Sequence, residues 1–267
     1  MKYLSDPEKE TLKILSTLRF WNKDLFDALI ETFKTGYSLT AFSELKRFSF
    51  VQENEGKLQL HPLMRESLQV YQDRGLKKEV HSFMCAYYSN QLKSVDIKNI
   101  TPEHENALTK AFYHAKESLE AENLLDWFIN FSDSFYSAAF WQLITPIYEE
   151  MLQILEAKLG PEHPDVATSL NNLAGLYKSM GDYEKALPLY QRALDIREKV
   201  LGTQHPFVAT TLNNLAGLYY HTERYEEALP LFERSLKILE IKFGPAHPYF
   251  KITEQNIQVL KAKMEEM

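Results

Sequence analysis

Residues able to do chemistry are few in this chain, and their spacing narrows what that chemistry is. Three of its eight histidines, His163, His205 and His247, each precede a proline and recur every 42 residues, a step set by architecture rather than by a reaction. The others fall at no metal-ligand spacing such as His-Glu-x-x-His. Cys85 is the single cysteine, so neither an internal disulfide nor a thiolate cluster is available, and burial on a helix is its expected role. No Gly-x-x-x-x-Gly-Lys phosphate loop occurs. Glu149-Glu150, Glu226-Glu227 and Glu265-Glu266 are neighbours in sequence, which puts each pair about 100° apart around a helix and reads as solvated faces. What remains is a pair of carboxamides, Asn171-Asn172, that returns one period later as Asn213-Asn214. An amide donates and accepts at once, so a repeated row of them suits binding rather than catalysis. The expectation is a non-enzymatic protein without metal or cofactor.

The elements that position these amides follow from the same period. Gly160, Gly202 and Gly244 keep the register of the histidines, Ser169–Tyr177 recurs as Thr211–Tyr219, and Asp182–Tyr190 recurs as Arg224–Phe232. Leu170, Leu173, Ala174 and Tyr177 fall at i, i+3, i+4 and i+7, the stripe of one helix, and Leu187, Tyr190, Ala193 and Leu194 stripe a second. The unit is therefore a helical hairpin that needs a neighbour to cover it. Gly181 permits its tight turn, Pro164 and Pro206 suit a first helical turn, and Pro188 and Pro230 predict a recurrent kink in each second helix.

At these residues the chain resembles the tetratricopeptide repeats, in particular the longer-period type of kinesin light chains. The full pattern covers 163–204; the copy at 205–246 has Glu223-Arg224 in place of Gly-Asp. Pro146, Tyr148, Leu152, Ile154, Leu159 and Gly160 place a degenerate repeat at 121–162, and Asn256, Ile257 and Leu260 continue the register into a capping helix at 247–267. The resemblance implies an α-α superhelix whose first helices line a concave groove. Its inward positions would be Thr168, Asn171, Asn172, Lys178 and Ser179 in one repeat, Thr210, Asn213, Asn214, Tyr220 and His221 in the next, and Gln255 and Lys263 beyond. There the amides would hold the backbone of an extended peptide, with Asn171 and Asn213 the first candidates and Asn172 and Asn214 divided between ligand and neighbouring repeat. Gly175 and Gly217 would leave room for that backbone, and Lys178 and His221 would favour an acidic or C-terminal carboxylate ligand.

Residues 1–75 read differently. Leu12, Leu15 and Leu18 stripe a helix opened by Asp6-Pro7; Asn22 caps a second carrying Leu25, Phe26, Leu29 and Phe33; Ser38 caps a third through Leu45. Phe50–Leu60 alternates and turns at Asn54-Glu55-Gly56, which predicts a hairpin and so a winged helix. A fourth helix from His61-Pro62 carries Leu63, Met64, Leu68 and Tyr71 on one side, and helices across 76–120 link this domain to the array. Residues 1–60 hold as many basic as acidic residues and put Glu53 and Glu55 at the hairpin tip, so the phosphate-neutralising cluster of a DNA binder is missing. The segment resembles the winged helix of STAND and NB-ARC signalling ATPases, with Leu60–Glu66 in the place of their Met-His-Asp motif. The resemblance implies a nucleotide-binding core in a longer parent chain and a diphosphate contact from His61, although Pro62 stands where the family has Asp; the plainer role for His61 is a strand-to-helix connector.

Composition bounds the whole. The chain is 45% hydrophobic and 13% aromatic with a net charge of −7 and an isoelectric point near 5.7, as for a folded protein with no general attraction to nucleic acid or anionic lipid. No stretch has the length of a signal peptide's apolar core or of a membrane span, so a cytoplasmic chain with no membrane contact is expected. The overall reading is a mainly α protein, a winged helix followed by a repeat array, that binds a protein or peptide partner in its groove. Three other readings stay open: an autoinhibitory sensor of a STAND-type ATPase, a DNA-binding regulator with a peptide-sensing domain, and a homodimer formed through Trp127, Phe131 and Trp141.

Overall fold

The computed structural model describes residues 3–93 and 95–266. They form two compact units, Met1–Tyr88 with Tyr113–Ser118, and Ser89–Phe112 with Leu119–Met267. The helices expected to link the domains, α4 (Arg74–Leu92) and α5 (Pro102–Ser118), give residues to both.

In the first unit, α1 (Asp6–Ser16) starts at a capping box in which Ser5 and Glu8 satisfy each other's backbone amides. Asn22 caps α2 (Lys23–Phe33) by accepting from Leu25 N at 3.0 Å. Ser38 caps the third helical segment as the sequence predicts, but Leu39–Arg47 is a 3₁₀ helix. The hairpin pairs β1 (Val51–Asn54) with β2 (Lys57–Leu60) antiparallel. Glu55 and Gly56 both have positive φ, the turn whose twist matches the strands. Trp21 exchanges backbone hydrogen bonds with Leu58 at 2.9 and 2.8 Å, so a single residue extends the hairpin by a third partner. Leu12, Leu15, Trp21, Phe26, Leu29, Leu45, Leu58 and Leu68 form the core between these elements. The fourth helix, α3 (Pro62–Val70), departs from expectation. Leu68 is buried and Met64 packs beside it, whereas Leu63 and Tyr71 are 68% and 66% exposed and so lie off the buried face.

The second unit is a stack of helical hairpins. Helices α6 (Ala121–Ser137) and α7 (Trp141–Leu159) form the degenerate repeat, α8 (Pro164–Ser179) with α9 (Tyr183–Leu201) and α10 (Pro206–His221) with α11 (Tyr225–Phe243) the two regular ones, and α12 (Pro248–Glu265) follows. His163, His205 and His247 are the N-caps of α8, α10 and α12. Each accepts at Nδ1 from the backbone amide two residues on, at 3.2, 3.2 and 3.3 Å, which explains the His-Pro period by local geometry. Every turn between the helices of a hairpin uses one left-handed residue: Ala139, Gly181 and Glu223, at φ of 63°, 81° and 59°. The Glu223-Arg224 copy thus keeps the turn despite its sequence. Leu170, Leu173, Ala174 and Tyr177 are buried, as are Leu212, Leu215, Ala216 and Tyr219. In α12 the places of Leu212, Ala216 and Tyr219 fall to Glu254, Gln258 and Lys261, all exposed. That helix therefore turns a polar face to water where α8 and α10 bury an apolar one. Trp127 and Trp141 are half-buried and donate their indole N–H groups to Ser89 Oγ and Tyr136 O, each at 3.1 Å, with Phe131 against Trp127. Each member of the aromatic group expected to dimerise has a contact inside the unit and keeps part of its surface exposed.

Candidate functional site

The first helices of the repeats, α6, α8, α10 and α12, bring the carboxamides together. Asn214 Nδ2 donates to Asn171 Oδ1 at 3.1 Å, and one repeat later Asn256 Nδ2 donates to Asn213 Oδ1 at 3.2 Å. Each bond joins the second asparagine of one pair to the first asparagine of the pair before it. Both members are thus engaged between repeats, where the sequence had assigned that role to Asn172 and Asn214. Asn171 is buried, donates to Asn172 Oδ1 at 3.4 Å, and is less open to a ligand than its first rank implied. Asn172 has no amide acceptor before it, since Ile129 holds that place; it lines the first cavity together with Tyr148. Asn213 also accepts from Thr253 Oγ1 at 3.4 Å. Its own N–H groups and the Asn214 carbonyl make no hydrogen bond among the described residues.

Two adjoining cavities follow this row. The first, about 340 Å³, is lined by Tyr136, Tyr148, Asn171, Asn172, Lys178 and Asn214 among others. The second, about 240 Å³, is lined by Lys178, Asn213, Tyr220, His221, Asn256 and Val259 among others. Lys178 belongs to both. Burial pushes its ammonium below the usual lysine range, and no carboxylate acts to reverse that shift. His221 is exposed, stacks on Tyr183 at 6.2 Å, and is held below its ordinary value by burial and then by the nearby Lys178.

The two helical glycines of this wall have a different use from the one the sequence suggested. A Cβ on Gly217 would stand 3.0 Å from Lys178 Nζ, and one on Gly175 would stand 3.5 Å from the Tyr190 hydroxyl and 3.8 Å from that of Tyr136. The space belongs to the protein's own polar groups, not to an approaching backbone.

The remaining candidates spread along the wall. Thr210 and Gln255 are exposed and Tyr220 is half-buried. Thr168 accepts from Arg197 Nη2 at 3.3 Å. Arg197, which the sequence did not single out, is buried and bonds only neutral acceptors, the other two being Phe207 O at 3.0 Å and Thr211 Oγ1 at 2.6 Å. Burial lowers it to about 10. Only its break with the repeat pattern signals it, since Leu155 and Leu239 occupy its place one period either side. Glu149, read as solvated, accepts from the Tyr177 hydroxyl, and burial together with that bond pushes the phenol up to about 12. His61 lies outside this wall. It is exposed, its backbone amide bonds Phe50 O at 2.7 Å, and its ring makes no cap hydrogen bond.

Among the described residues, no group of three or more His, Cys, Asp or Glu side chains is placed to hold a metal ion, and no helix is long and apolar enough to cross a membrane.

Comparison with known proteins agrees with this architecture. No curated protein sequence matches the chain significantly. Among solved structures it is similar to BtubC (BKLC) from P. vanneervenii, with TM-score 0.53 and 24% identity over 75% of this chain and 74% of that one. It is also similar to a putative kinesin light chain with nearly identical TPR-like repeats from Podosopora anserina, with TM-score 0.51 and 19% identity over 73% and 90%. The apo form of RapI matches with TM-score 0.53 and 16% identity over 76% of this chain and 53% of that one. At these identities the likeness is one of fold. Residues 130–199 and 165–241 each match the tetratricopeptide repeat profile, the span of the regular helical hairpins described above.

Proposed function

We propose that the second unit is a non-enzymatic interaction module whose groove holds an extended segment of a partner protein. The observation that carries this is the continuity of the wall: two adjoining cavities run along α6, α8, α10 and α12, share Lys178, and expose amide groups that the inter-repeat bonds leave over. Free N–H and C=O groups at fixed intervals match the backbone of an extended chain better than they match a compact small molecule. The asparagines themselves are poor test positions, because removing them weakens the array. Val259 lines the second cavity and is half exposed, and its replacement by arginine puts a long charged side chain into the groove without opening an inter-repeat bond. Affinity capture from host lysate with wild type and with a Val259→Arg variant of unchanged helicity tests the reading. Partners held by wild type and lost by the variant support it. Partners held equally by both place the interaction elsewhere and remove the groove from the function.

A further inference from the structure

We infer that the groove selects an internal acidic side chain, an Asp or Glu within the bound segment, and that Lys178 is the residue that reads it. The inference rests on the groove reading above and adds the chemistry of the partner. Lys178 is half-buried at the end of α8, makes no hydrogen bond or ion pair among the described residues, and lines both cavities. Lys185 is paired with Asp182 at 2.7 Å and Lys263 with Glu266 at 2.8 Å, while Lys158, Lys237, Lys242 and Lys251, which have no ion pair among the described residues, are exposed to water. A desolvated ammonium without a counter-charge is unfavourable, and a carboxylate brought by a ligand would restore both the charge balance and the missing hydrogen bonds. The surroundings add no competing acid. Asp133 is the one carboxylate lining the first cavity and makes no ion pair with Lys178, and no carboxylate lines the second.

Two features of placement sharpen this. Gly217 leaves the space that the ammonium occupies, since a Cβ there would meet Nζ at 3.0 Å. The corresponding residue of the next repeat, Tyr220, is not cationic, so the charge is read at one point along the wall. Lys178 also lies where the cavities join, with groove continuing on either side. A chain passing through presents a side chain there, whereas a terminal carboxylate would leave one cavity empty.

The experiment is selection from a random twelve-residue library displayed between fixed flanking sequences, so that no terminal carboxylate is offered, on the full chain and on its Lys178→Met and Gly217→Ala variants. Wild type is expected to enrich Asp or Glu at one position of the selected peptides. Lys178→Met is expected to lose that enrichment and to bind a wild-type-selected peptide about tenfold more weakly, the scale of one charge-assisted hydrogen bond. Gly217→Ala, which keeps the charge and moves it, is expected to weaken the same peptide while hydrophobic positions stay selected. Acid enrichment that survives Lys178→Met overturns the inference, as do wild-type peptides without a preferred acid; in both cases the groove stands as a binding site. Selection only from a library with free C-termini overturns the internal position. Failure of wild type to select any peptide removes the groove reading and the inference with it.

Discussion

Asn214 donates its side-chain amide to Asn171, 43 residues earlier, at 3.1 Å, and Asn256 repeats the bond to Asn213 at 3.2 Å. The amide ladder is therefore first a clamp between successive repeats and only then a surface for a ligand. Removing Asn171 leaves a partly buried donor without its acceptor, so Asn171→Ala is expected to destabilise the array by about 1–2 kcal/mol. Asn214→Ala is expected to cost less, and a double-mutant cycle by urea denaturation is expected to show a coupling of about 1 kcal/mol. Additivity of the two changes would show that the bond contributes nothing in solution.

The hairpin turns store strain where glycine is absent. Glu223 and Ala139 adopt the left-handed conformation that Gly181 supplies in the regular repeat, at φ of 59°, 63° and 81°. A side chain there costs about 1 kcal/mol relative to glycine. Glu223→Gly and Ala139→Gly should each raise the thermal midpoint, and thermal scans followed by circular dichroism would detect it. An unchanged or lower midpoint in both would mean that the unfolded-state entropy of glycine outweighs the relieved strain.

Arg197 is buried with three neutral acceptors and no carboxylate. Its partners keep other bonds: Thr168 Oγ1 donates to Pro164 O at 3.2 Å, and Thr211 Oγ1 donates to Phe207 O at 3.1 Å. Replacing the cation by the leucine that the flanking repeats carry should leave no orphaned group. Arg197→Leu is expected to be stabilising by about 1–3 kcal/mol, measured by urea denaturation at pH 7. A loss of stability would assign net favourable energy to these bonds and to the guanidinium stacked on Phe207 at 5.3 Å.

In the first unit, His81 and His114 face each other with Nδ1 atoms 3.0 Å apart, both buried. One ring donates and the other accepts, so at least one is neutral. Tyr88 stacks on His114, and Tyr113 lies tilted against His81. Burial depresses the His81 imidazolium, Lys77 lowers it further and Glu117 opposes both. The sign follows from proton counting. Below the ordinary histidine range the unfolded chain binds a proton that the folded one refuses, so stability rises with pH and falls on acidification from about 6.5 toward the lower folded value. The unfolding free energy from urea denaturation should drop more between pH 7.5 and 5.5 for wild type than for His81→Gln. Equal losses would show that the pair tolerates the proton.

Local order in this chain was legible because it is written in short-range terms. The 42-residue step, the stripe of Leu170, Leu173, Ala174 and Tyr177, the caps at Asn22 and the His-Pro sites, and the turn at Glu55-Gly56 all depend on neighbours within one helical turn or one hairpin. The sequence also placed the asparagine pairs on successive first helices, since a repeat carries every position forward by the same step. Sequence alone did not separate the roles of those residues. Whether Asn171 bonds a ligand or Asn214, whether Gly217 clears space for a peptide or for Lys178, and whether Arg197 reaches solvent or Thr168 are decided by distances between helices. The exposed Leu63 and Tyr71 of α3 miss the expected buried face for the same reason. A periodic pattern fixes which side of a helix a residue takes, but a side chain's partner depends on how closely a second helix packs, and that is set by the whole unit.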